Sequence, residues 1–240
     1  MIWYKAWLET RFGVAFLFVL FSFVFLVAGA GVRLGTGVVP ANKAPEPEEL
    51  LVAVDALSFA WIAAAISLAG TGIKTPSGGF QNIKGLHGST LYTLSLPVSR
   101  LRLIVVRTVV GLLETVAVIV VFTQLAWWIF PKTGQNTMGE IFAHFAVTVI
   151  CASTFYFLSL FLGTFLDDAL RLPASMTALA LLFTLDVTKI LPPYLNIFGP
   201  MGSGSPLNTH AIAWRTLGIA LAASAILFVA AVKVVDTQEY

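Results

Sequence analysis

Charge is scarce in this sequence. Of its 240 residues only 11% are Asp, Glu, Lys or Arg, against 58% hydrophobic, and the mean hydropathy is +0.90. A soluble domain carries roughly 25% charged residues, so a water-soluble globular enzyme is excluded. There is one cysteine, Cys151, inside an apolar run. An intrachain disulfide, a CxxC redox pair and a multi-cysteine zinc site are therefore ruled out, leaving a small packed side chain. The three histidines, His87, His144 and His210, stand far apart and fall in different layers of the expected fold, without HExxH-type pairing. No metal centre is expected from them. A net charge of +2 gives no sign of a nucleic-acid partner. Phosphate-binding motifs are missing too. Gly70-Thr71-Gly72-Ile73-Lys74-Thr75 imitates only the end of GxxxxGK[ST] and lacks its Gly-Lys pair. Gly29, Gly31 and Gly35 lie at the end of an apolar run rather than between a strand and a helix, where a dinucleotide fingerprint would sit.

What the sequence has in quantity is apolar run. One bilayer crossing takes about 20 such residues, and segments at 13–33, 53–73, 106–130, 141–166, 172–191 and 212–233 each supply one. Six crossings leave no room for a large soluble domain. The first segment follows Lys5 and Arg11 and ends near Ala28-Gly29-Ala30, which superficially matches a secretion signal. Its uncharged stretch from Gly13 to Val32 exceeds the roughly 7–15 residues of a signal core. Trp3, Tyr4 and Trp7 suit a bilayer interface, so residues 1–12 read as an interfacial helix before a retained first span.

Lys and Arg placement sets the expected orientation. With the N-terminus inside, Lys5, Arg11, Lys74, Lys84, Arg100, Arg102, Arg107, Arg171 and Lys233 gather on the cytoplasmic side. Arg33, Lys43, Lys132, Lys189 and Arg215 fall opposite, so both termini are expected in the cytoplasm. The connection 74–102 holds basic residues and no acidic one. The outer connection 34–50 is Pro-rich and carries Glu46, Glu48 and Glu49, as a solvated loop would. Between 190 and 214, Pro192, Pro193, Gly199, Pro200, Gly202, Gly204 and Pro206 forbid a continuous lipid-facing helix. Short re-entrant or surface-lying helices fit that segment better.

Within 74–102, Ser89 or Thr90 caps a short helix in which Leu91, Leu94 and Val98 recur at helical spacing, and Pro97 ends the pattern. Two readings are open: a helix resting on lipid headgroups, or a docking element whose Leu/Tyr ridge enters a partner while Arg100, Arg102 and Arg107 fix the following span. At these residues the chain resembles the permease subunits of ABC-2-type transporters, over almost its whole length. The resemblance is carried by Trp-Tyr-Lys-Ala-Trp-Leu-Glu-Thr-Arg at 3–11, by Leu-Ser-Leu-Pro-Val-Ser-Arg at 94–100 followed by Arg107, and by the broken segment before the last span. It implies a single 240-residue transmembrane domain in the inner (plasma) membrane, all-α, with six spans, an N-terminal interfacial helix, a cytoplasmic coupling helix and a re-entrant outer segment. It also implies an exporter assembled from two permease chains, identical or different, and a separate ATP-binding subunit that holds ATP and Mg. The coupling role then falls on Ser89, Thr90, Leu91, Tyr92, Leu94, Leu96, Pro97, Val98 and Arg100, and interface anchoring on Trp3, Trp7, Arg11, Arg102 and Arg107. No substrate contact of the family falls on a residue of this chain. The lack of a phosphate-binding motif agrees with hydrolysis on a partner, so this chain itself is expected not to be an enzyme.

Ionisable groups at membrane depth are the remaining candidates, since one at a helix centre costs roughly 2.5–3.5 kcal/mol on insertion scales. Glu114 lies seven residues beyond Arg107 on the same helical face, Asp186 lies three before Lys189, and Asp55 opens the second span. Asp55 reads as interfacial and Asp186 as an i,i+3 partner of Lys189. For Glu114, an interhelical bond and a role in a polar path both stand. A proton-coupled secondary transporter using Glu114 or Asp186 is the main alternative, although no inverted repeat is visible. An intramembrane serine protease built on Ser203, Ser205 and His210 is a weaker one, because residue 201 is Met where Gly-x-Ser-Gly is needed.

Overall fold

The computed structural model describes residues 3, 4, 6, 7, 10, 11, 13–22, 60–69, 99–129, 138–166, 168–202 and 204–237. All regular structure among them is helical: α1 (Gly13–Ser22), α2 (60–68), α3 (Arg100–Ile129), α4 (Met138–Leu162), α5 (Asp168–Val187), α6 (Pro206–Thr209) and α7 (Trp214–Thr237). Residues 3, 4, 6, 7, 10 and 11 are helical as well. Among the described residues, three helices are long and apolar enough to cross a membrane: α3, within Ile104–Gln124, α4 and α7. Such helices point to a membrane protein, and Leu113, Val121, Phe142, Leu221, Ile226 and Val229 are exposed on their outer faces, as lipid-facing positions would be. The segments expected to span at 13–33 and 53–73 are described only over 13–22 and 60–69. Most of the connection 74–102, including Ser89 to Val98, lies outside the described residues, as does Asp55.

The helix boundaries follow from local chemistry. Ser99 caps α3: its Oγ accepts the backbone N–H of Arg102 at 3.3 Å, the usual bond from an N-cap to the third helical residue. The helix thus starts at Arg100, not near 106 as the sequence suggests, and its 30 residues extend about 45 Å. Arg100 therefore belongs to the long helix rather than to the short one expected before it. At the far end of α5, Lys189 adopts φ 54 and donates to the Asp186 carbonyl at 2.8 Å, while Ile190 donates to Leu185 at 3.1 Å. This pair of bonds is a Schellman cap. It ends the helix at Val187, short of the expected 191, and links Asp186 to Lys189 through backbone rather than through a side-chain ion pair.

Between α5 and α7 the chain makes two single-turn 3-10 helices, Pro193–Leu195 and Gly199–Met201, and then α6. Gly204 donates to the Gly199 carbonyl at 2.8 Å, and a Cβ on Gly204 would stand 3.0 Å from that same oxygen. A side chain at 204 would therefore crowd the closing turn. Phe198 and Met201 are buried, and Phe198 packs against Phe155 of α4 and Phe183 of α5. The broken segment is thus stitched into the core rather than laid loosely over it.

Side-chain pairings fix the helix directions. Thr10 meets Glu114 while Phe18 and Phe21 meet Phe122, so α1 runs parallel to α3. Glu140 meets His210 while Thr154 meets Ala220 and Ser224, so α4 runs parallel to the last helix. Tyr156 near the end of α4 reaches Thr108 near the start of α3, and these two are antiparallel. Buried Ala220 lets α4 and α7 approach closely enough for the Thr154 hydroxyl to donate to its carbonyl at 3.2 Å, the small-plus-polar contact that joins helices in lipid.

Candidate functional site

The polar side chains buried in the bundle are concentrated near one end. Glu140 and Ser159 stand 19 residues apart along α4, about 28 Å. The Glu140 end carries the exposed His210 pair at 2.6 Å, and such exposed pairs contribute only about 0–1 kcal/mol. At the Ser159 end, five elements exchange buried hydrogen bonds. The Thr10 hydroxyl, also 3.2 Å from the carbonyls of Ala6 and Trp7, donates to Glu114 of α3. Ala6 packs with Val106 and Val110 beneath it. The N-terminal residues thus present Ala6 and Thr10 to α3 and leave Trp3, Tyr4 and Trp7 exposed.

Tyr156 and Ser159, three residues apart and so on one face of α4, reach in two directions. The Tyr156 hydroxyl donates to the Thr108 carbonyl of α3 at 3.4 Å, its ring lying against Gly111. The Ser159 hydroxyl donates to the Ile66 carbonyl of α2 at 3.1 Å. Arg171 of α5 joins the second contact. Its Nη1 is 3.2 Å from Ser159 Oγ and 3.5 Å from the Ile66 carbonyl, and the residue is only 5% exposed. Gly163 makes this approach possible: a Cβ there would stand 3.0 Å from Arg171 Cδ. Ile66 lies in the last turn of α2, where carbonyls lack intrahelical partners, and a cation at that point also complements the helix dipole.

The consequence is mechanical. The helix leading into the 70–98 connection, α2, and the helix leaving it, α3, are both bonded to α4 through side chains one turn apart. Backbone carbonyls accept two of these bonds, and charged or buried partners of this kind are costly to strip of their contacts.

Among the residues singled out by the sequence, Trp3 and Trp7 are exposed, Arg11 and Arg102 are exposed, and Arg107 is half-buried. Glu114 is buried and forms an interhelical bond; its Oε2 and the Thr108 Oγ1 have no hydrogen-bond partner among the described residues. Asp186 sits at the opposite end of α5 from Arg171 and is not brought to the polar tier. Cys151 is fully buried. His210 bonds Glu140, Ser205 Oγ is buried without a hydrogen bond to it, and Ser203 lies outside the described residues. No group of three metal-ligating side chains occurs among the described residues.

Sequence reasoning missed Thr10, Tyr156, Ser159 and Arg171. In the sequence Arg171 counts only as one of the basic residues on the cytoplasmic side; nothing along the chain distinguishes it from the exposed Arg102. Hydroxyl residues spaced three apart in an otherwise apolar helix, Ser153, Tyr156 and Ser159, were the available signal.

The fold and this tier define an all-helical protein whose apolar helices suit a membrane, with polar contacts fastening the helix ends. Searches against protein families, curated proteins and solved structures return no match to the chain.

Proposed function

We propose that this chain is the transmembrane (permease) subunit of an ABC-2-type transporter, an exporter driven by a separate ATP-hydrolysing subunit. The observation that carries the reading is the double fastening of α2 and α3 to α4 on either side of the 70–98 connection. A partner that grips Ser89 to Arg100 and moves would displace a joined block of helices, not a loose loop, and rigid-body displacement is the ordinary currency of such switching. The N-terminal helix held on the start of α3 through Thr10 and Ala6 fits an interfacial connecting helix.

Helix direction supports six spans. Parallel α1 and α3 require a return between them, and parallel α4 and α7 require another, supplied by α5. In this arrangement both termini lie in the cytoplasm, 74–102 is the cytoplasmic coupling region, and the broken segment 190–214 re-enters the outer face and closes the pathway. Two such permease chains, identical or different, with their ATP-binding subunits, form the transporter in the inner membrane. ATP and Mg belong to the partner.

The experiment is co-purification. Tyr92→Ala combined with Leu94→Asp removes the Leu/Tyr ridge and should abolish recovery of the ATP-binding subunit while the chain still inserts into the membrane. Survival of the complex sinks the docking assignment. The wild-type chain alone in liposomes should move no solute, and turnover there would favour a self-sufficient carrier.

A further inference from the structure

Arg171 occupies a position that the coupling role of the 70–98 connection does not by itself explain. Its side chain is buried near the start of α5, and it bonds the last turn of α2 from a third helix. From Arg171, α5 continues a further 16 residues, about 24 Å, to Val187 and the Schellman cap that opens the broken segment. That segment begins where α5 stops, and its Phe198 packs back on Phe183 near the end of α5. One side chain therefore joins the exit of α2 to a rigid rod whose other end carries the broken segment.

We infer that Arg171 is the positioning residue through which displacement of the 70–98 connection is passed to α5, and through α5 to the 188–213 segment at the far end. The inference rests on the permease reading and adds to it a transmission path that neither the connection nor the outer segment supplies. A packed helix moves as a unit only where its end is held, and a guanidinium bonding a hydroxyl and a carbonyl on two other helices holds it in two directions. Pro173, two residues further on, removes a backbone N–H from the first turns of α5. That start is therefore held less by its own ladder, and Arg171 is the fixed point there.

The test uses spin-label distances in nanodiscs, in a Cys151→Ala background. For the chain alone, labels at Ala63→Cys in α2 and Ala180→Cys in α5 should give one narrow distance. That distance should broaden in Arg171→Met and narrow again in Arg171→Lys. An unchanged narrow distance in Arg171→Met overturns the inference. For the complex with the co-purified ATP-binding subunit, labels at Met138→Cys and Tyr194→Cys should change separation on adding ATP with vanadate. That change should disappear in Arg171→Met, return in Arg171→Lys, and leave ATP hydrolysis within about twofold of wild type. Retention of the ATP-dependent change in Arg171→Met overturns the transmission role even if the first distance broadens. If Arg171→Met fails to reach the membrane, Ser159→Ala keeps the charge, removes one acceptor, and should reduce the amplitude of the ATP-dependent change; no reduction overturns the inference. A wild-type complex that shows no ATP-dependent change defeats the permease reading, and the transmission role with it, while the measurement on the chain alone still decides whether Arg171 fastens α2 to α5.

Discussion

Gly111 offers the sharpest quantitative check on the packing of the polar tier. An alanine Cβ at this position would stand 3.0 Å from Cε2 and Cζ of Tyr156 and nearer still to its hydroxyl. Tyr156 is buried, its hydroxyl is engaged with the Thr108 carbonyl, and its ring is edge-on to Phe157, so it has little room to yield. Overpacking of this sort costs about 1–3 kcal/mol, and displacing the hydroxyl from its acceptor adds about 1 kcal/mol. Replacing a mid-helix glycine returns about 1 kcal/mol of helix propensity. Gly111→Ala should therefore lose roughly 1–3 kcal/mol. Tyr156→Phe alone should lose at most about 1 kcal/mol, because the 3.4 Å bond is a long one. In the double variant the closest overlap is gone, so the losses should fall short of additivity by about 1 kcal/mol or more. Reversible unfolding in mixed micelles, followed by tryptophan fluorescence over an SDS titration, measures all three. Additive effects, or a Gly111→Ala protein as stable as wild type, would refute the close approach of α3 and α4 at this point.

Three further outcomes follow from neighbouring contacts. Thr10→Val removes the only side chain among the described residues that bonds Glu114 and should cost about 1–3 kcal/mol, with Thr10→Ser close to wild type; the N-terminal helix should become a site of limited proteolysis in the valine variant alone. Thr108→Val replaces a buried hydroxyl that has no partner among the described residues by a methyl of similar shape, so stability should hold or rise by a few tenths of a kcal/mol, as read from the same unfolding curves. Met201→Ala empties a fully buried position where the broken segment meets the core. It should cost about 2–5 kcal/mol, and thermal melting in detergent should separate it clearly from Leu195→Ala on the exposed turn nearby.

How far the sequence could be read depended on the range of the interaction. Apolar runs and Ser/Pro/Gly punctuation act within a few residues, so the all-helical class, the presence of long apolar helices and the broken character of 190–214 were legible. Boundaries were less so: Pro97 and Val98 drew attention to the end of one helix, whereas Ser99 as the cap of the next emerged only from its bond to Arg102. Asp186 and Lys189 looked like a helical pair because spacing alone assumes that the helix continues, and the left-handed turn at Lys189 broke that assumption.

The sequence by itself determined that this chain is apolar and helical, because those properties are sums over residues or short-range patterns. Only the tertiary structure decided which polar residues matter. Arg102 and Arg171 are the same chemical group beside similar apolar runs, yet one lies exposed and the other is buried against a carbonyl on a helix more than 100 residues away in the chain. A hydrogen bond between distant segments leaves no mark on local sequence, since each partner alone is compatible with solvent, lipid or core until packing brings the other within reach.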